Sequence, residues 1–179
     1  MTLTALEGAL LLFVVGCALG AALLRDTLAS VMSFAAYSLG VSIIWLILQA
    51  PDVGLTEAAV GAGIMTILLL VALANTVTPD ADRLLEPVNV RTVLLVGTFV
   101  LVMAATVPAL PAIGDPSSPV VGGEVTQYYL DNAYEQTDVK NAVTAVLAAY
   151  RGFDTLGEAV VVFAAGVAAL TVLRREVFA

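Results

Sequence analysis

Five runs of about 18 to 23 mainly apolar residues constrain this chain most, because a hydrocarbon core about 30 Å thick takes roughly 20 such residues per helical crossing. They cover 3–24, 28–50, 53–73, 93–110 and 155–173. Composition agrees: 60% of the residues are hydrophobic and only 12% charged, where a soluble domain has roughly a quarter charged. The predicted fold class is an all-α membrane protein of about five transmembrane helices, grouped three plus two.

The first three runs form one block. Arg25-Asp26 leaves room only for a tight turn between helices one and two, and Pro51-Asp52 punctuates the step from two to three. The polar stretch 75–91, with Pro79 and Pro87, closes the block. A three-helix membrane domain is therefore predicted over 1–76, a polar cytoplasmic linker over 77–92, and a two-helix domain over 93–179. Within the latter, 108–138 is rich in Pro, Gly, Ser and acids and cannot cross hydrocarbon, where its backbone groups would lack partners; it is predicted as an exterior loop at 111–138. The stretch 139–150 is apolar but too short to span. It reads as a short interfacial or half-inserted helix before the last span, or as an extension of that span.

Charge narrows the function. Cys17 is the one cysteine and histidine is absent, so no thiolate cluster, metal site or cofactor ligation is predicted, and proton handling falls to carboxylates, Lys140 or water. The net charge of -8 disfavours nucleic acid as a partner. The acidic, lysine-poor loops fit a salty environment. Glu7, with no Lys or Arg ahead of it, argues against a signal peptide and for a retained first helix. Short loops rich in Lys and Arg stay cytoplasmic. Arg25, Arg83, Arg91, Arg174 and Arg175 fall on one side, and only Lys140 and Arg151 on the other, so the N-terminus is expected outside and the C-terminus inside a multi-pass protein of the cell membrane.

Carboxylates at or inside the apolar runs carry the remaining signal: Glu7, Asp52, Glu57, Asp154 and Glu158. Acids at membrane depth cost several kcal/mol and by default mark an ion path. Glu57 and Glu158 each lie about one turn inside a helix, just after an aspartate. Asp52 and Asp154 read well as N-caps, and the helix dipole favours a first-turn glutamate by about 0.3 to 1 kcal/mol. That is less than the cost of inserting it, so a partner or a wet cavity is implied for the glutamates. Gly54, Gly61 and Gly63 in helix three, and Ser33, Ser38, Gly40 and Ser42 in helix two, permit close helix packing. Alternatively, Gly61-Ala62-Gly63 is a hinge that switches between α and π-bulged forms. Cys17 and Trp45 read as packing and interface residues.

Two long strings point further. The sequence NAVTAVLAAYRGFDTLGE at 141–158 resembles the last part of the large subunit of Mrp-type cation/proton antiporters, and equally a small subunit of membrane-bound hydrogenases. APDVGLTEAAVGAG at 50–63 resembles the three-helix hydrogenase-type domain that precedes it in those systems, and VGAGIM at 60–65 resembles the π-bulged third helix of a five-helix subunit of respiratory complex I. The resemblance implies a membrane subunit of a multi-subunit monovalent cation (Na⁺)/proton antiporter rather than an enzyme. Its partners would be a large antiporter-like subunit, other subunits, Na⁺, H⁺ and the bilayer. In this reading Glu57 and Glu158 line the ion path, Asp52 and Asp154 cap and orient their helices, Arg151 holds a carboxylate or steers cations near the entrance, and Lys140 also belongs to the ion or proton path. A coupling subunit of a membrane-bound hydrogenase or complex-I-like redox enzyme, and a structural scaffold, are the other readings. Two departures stand out: Ala149 occupies a position that is acidic in many antiporters, and the large helical bundle that precedes these domains is expected as a separate polypeptide or missing.

Overall fold

The computed structural model describes residues 4–76 and 83–174. Among them there is no β-strand, only a single bridge between Leu24 and Leu85. Five helices are long and apolar enough to cross a membrane: α1 (Ala5–Leu23), α2 (Thr27–Ile47), α3 (Pro51–Ala74), α4 (Val90–Thr106, continued by a 3-10 turn to Ala109) and, after a non-spanning helix α5 (Glu124–Thr137), α6 (Gly152–Arg174). The chain divides into two compact units, Met1–Leu110 and Pro111–Ala179.

In the first unit, local chemistry sets the helix ends. Thr4 and Glu7 form a reciprocal capping box at the start of α1, which accounts for Glu7 without an ion-path role. Asp26 caps α2 by accepting from the Ala29 amide at 2.7 Å. That helix ends on Gln49 in the left-handed region (φ 61°), with the Ala50 amide bonded to the Trp45 carbonyl at 2.9 Å. This is a Schellman-type stop without its usual glycine. Pro51 then opens α3 at a position where a missing N–H costs nothing. Asp52 is therefore not the N-cap: Ala50 is, without a side-chain bond, and Asp52 sits in the first turn.

Small residues knit α1, α2 and α3 together. A methyl group on Gly40 would come within 2.7 Å of Val14 Cγ2, and one on Gly54 within 2.9 Å of the Ser42 carbonyl. The Ser42 hydroxyl donates to the Gly54 carbonyl at 2.7 Å, and the Ser30 hydroxyl to the Ala21 carbonyl at 2.5 Å. In lipid, which is as apolar as the helices, such close packing and interhelical hydrogen bonds replace the hydrophobic effect as the source of association. The segment before α4 returns to the α1–α2 turn, where Arg25 N–H donates to the Leu84 carbonyl and Glu86 N–H to that of Leu23. By contrast, no residue of 90–109 is buried.

The second unit contains more structure than an exterior loop. Where Pro, Gly and acids suggested irregular chain, α5 runs for 14 residues and ends on Asp138 in the left-handed region. Its ring Tyr129 lies 4.9 Å from Tyr150, whose hydroxyl donates to Gln136 at 2.6 Å. The stretch read as an interfacial helix is a short α-turn, Ala142–Ala145, followed by a π-helical turn, Val146–Tyr150. None of the spanning residues of α6 is buried within the unit.

Candidate functional site

Glu57 closes the α-helical start of α3, and directly after it the backbone widens into a π-helix over Ala58–Met65. Gly61 lies at the centre of this segment. A methyl group there would strike the Ser38 hydroxyl of α2 and lie 2.8 Å from both Ser38 Cβ and Glu57 Oε1. Only a residue without a side chain leaves room for both groups beside that point. Ser38 is 1% exposed, and Glu57 is half-buried. One turn further on, the buried Thr66 hydroxyl donates to the Gly61 carbonyl at 3.1 Å, satisfying an acceptor that the wider winding sets apart from the regular ladder.

The two glycines of the segment read as a hinge differ in their surroundings. Gly61 has no room for a methyl group, whereas at Gly63 the nearest atom, the Ala58 carbonyl oxygen, lies at an ordinary 3.5 Å. Asp52 is half-buried one turn before Glu57, so both acids belong to the first unit.

The remaining candidates lie in the second unit. Asp154 is in the first turn of α6, and its carboxylate receives Arg151 Nε and Nη2, both at 2.6 Å. It binds Arg151 and lies in the first turn of the helix rather than at its N-cap. Both side chains are largely exposed, 68% and 56%, so the pair contributes little to stability. The Thr155 hydroxyl donates to the Leu147 carbonyl at 2.8 Å, tying α6 to the π turn as Thr66 ties the first one. Glu158 follows one turn later, exposed, with no hydrogen bond or ion pair among the described residues. Lys140 is exposed between α5 and the Ala142–Ala145 turn. Removal from water within the aromatic cluster, with Tyr128 and Tyr129 alongside, holds the Tyr150 phenol above its usual range. Bonds from the Ser117 hydroxyl and amide hold Asp115 below the usual carboxylate range. No group of three or more potential metal ligands occurs among the described residues.

Sequence reasoning missed Ser38 and Thr66 as neighbours of the acid. The available signal was spacing: Ser38 and Ser42 lie four apart, hence on one face of α2.

A chain with five spanning helices and carboxylates within them is a multi-pass membrane protein, and comparison with known proteins gives its family. Residues 12–77 match the MbhD family and residues 117–178 the MbhE family, both described as subunits of MBH. The chain thus carries a match to the MbhD family in its first unit and a match to the MbhE family in its second. The antiporter subunit mnhA2 of Staphylococcus haemolyticus is 32% identical over 164 residues, covering 92% of this chain and 19% of that protein. The Na⁺/H⁺ antiporter subunit A1 of Staphylococcus epidermidis is 24% identical over 168 residues, 94% of this chain and 20% of that protein. The chain thus spans about a fifth of the length of these relatives.

Proposed function

We propose that this chain is a membrane subunit of a multi-subunit antiporter that exchanges Na⁺ for H⁺ across the cell membrane, a transporter component rather than an enzyme. The observation that carries the reading is Glu57, a carboxylate opening a π-helical segment inside a spanning helix, in a chain whose relatives are named Na⁺/H⁺ antiporter subunits. Glu57 and Glu158 are the ion-path acids. Asp52 adds negative charge at the mouth of α3, Arg151 is held by Asp154, and Lys140 tunes the potential near α6. Gly61 and Gly63 flank the hinge of α3. The three-helix domain, 1–76, and the two-helix domain, 93–179, joined by a cytoplasmic linker, are its working parts. Its partners are the other subunits, a large antiporter-like one among them.

The exposure of α4 and α6 favours such an assembly, since a spanning helix that carries Glu158 needs a protein neighbour or water beside the acid. The test is affinity purification of the tagged chain from its native membrane, with transport assays on the complex and on the chain alone. Antiporter subunits are expected to copurify, and the isolated chain is expected to show no cation/proton exchange. Robust exchange by the single chain overturns the subunit reading. Copurifying hydrogenase subunits would instead favour the redox-coupled reading, which the MBH descriptions of both families keep open.

Orientation follows from the arginine asymmetry. A reporter fused after Ala179 is expected in the cytoplasm and one inserted near Ser117 outside; opposite labelling reverses the orientation and leaves the helices as they are.

A further inference from the structure

Three buried hydroxyls line the three-helix unit: Ser38, Ser42 and Thr66. Two are committed to backbone, Ser42 to the Gly54 carbonyl and Thr66 to the Gly61 carbonyl. The most deeply buried, Ser38, makes no side-chain hydrogen bond among the described residues; its hydroxyl and Glu57 Oε1 both lie within 3 Å of where a methyl group on Gly61 would stand.

We propose that Ser38 is a positioning residue for Glu57, its hydroxyl bonding the carboxyl group beside Gly61 during the transport cycle. The inference rests on the reading of Glu57 as an ion-path acid and adds a residue from a different helix to it. A serine hydroxyl donates to an ionised carboxylate and accepts from a protonated one. It can therefore bond Glu57 in both protonation states, which a cation, having donors only, cannot. Serine also fits the space, its side chain already lying close against the Gly61 position.

The experiment compares Ser38→Ala in two backgrounds, wild type and Glu57→Asp, in vesicles containing the whole complex, with exchange normalised to assembled complex. Aspartate keeps the acid and withdraws it by one methylene from the Gly61 position. If Ser38 acts through Glu57, Ser38→Ala slows exchange by about tenfold in wild type, the scale of a lost hydrogen bond to a charged group, and by about twofold or less in the Glu57→Asp background. Equal factors in the two backgrounds, or no loss in wild type, overturn the inference. If the alanine variant assembles poorly, Ser38→Cys, which restores the volume with only a weak donor, carries the same comparison. Glu57→Gln separates the two layers. Wild-type exchange in that variant overturns both the ion-path reading and the role of Ser38. Loss of exchange there, with equal Ser38→Ala factors, overturns the role of Ser38 alone.

Discussion

Glu158→Gln is expected to slow cation/proton exchange by at least about a hundredfold, the lower range for losing a group that carries protons, while the complex still assembles and Glu158→Asp retains part of the rate. Glu158 stands one turn into α6, beyond the Arg151–Asp154 pair, on a helix that its own unit leaves uncovered. The nearest cation in sequence, Arg151, is already held by Asp154, and no other side chain of the described residues bonds to Glu158. An acid placed so in a membrane needs water or a polar protein group beside it, and water there supplies a route for protons. Glutamine preserves size and polarity but carries neither proton nor charge. Were Glu158 only a dipole-stabilising residue at a helix start, its neutralisation would change stability slightly and leave transport in place. The measurement is cation-induced dequenching of a pH dye in vesicles, per assembled complex; wild-type exchange in the glutamine variant removes Glu158 from the path.

Gly61→Leu is the second large effect, with an expected loss of at least about tenfold in exchange and a fall in assembled complex, against about twofold or less for Gly97→Leu. The two glycines lie in equally apolar helices and differ in surroundings. Even a methyl group on Gly61 collides with Ser38 of α2, whereas nothing lies within 4 Å of one on Gly97. Leucine at 61 forces α2 and α3 apart and displaces Glu57; leucine at 97 extends from an open face. Equal losses would mean that Gly61 has no special place in α3.

The five spans were legible because twenty apolar residues admit little else in lipid, and the turn at Arg25-Asp26 is where one aspartate caps one helix. The ends of α3 and α6 were misread for a physical reason. An aspartate after a helix-breaking residue looks like a cap, but Pro51 and Gly152 themselves begin the helices, which shifts Asp52 and Asp154 into the first turn. Helix α5 escaped notice because its polar surface and the Gly-Pro-rich residues before it imitate a loop, while its stabilising contacts, Tyr129 on Tyr150 and Gln136 on Tyr150, come from residues far along the chain. Of the acid site, Glu57 and Gly61 could be read from the sequence. Ser38 could not be assigned to them, because periodicity gives a face of a helix and not what opposes it.

The bond from Thr66 to the Gly61 carbonyl bears on how readily α3 can rewind. In an ordinary α-helix a threonine hydroxyl reaches the carbonyl three or four residues back, and here it reaches five back. Rewinding to the narrower form would pass that hydroxyl to the carbonyl of residue 62 or 63, so one acceptor is exchanged for another and no donor is stranded. An α-helix also turns about 100° per residue, which would carry Gly61 and Thr66 about 140° apart around the axis. Rewinding residues 58–65 would thus turn the part of α3 beyond Met65 about the helix axis relative to Glu57, as a thread turns in its nut.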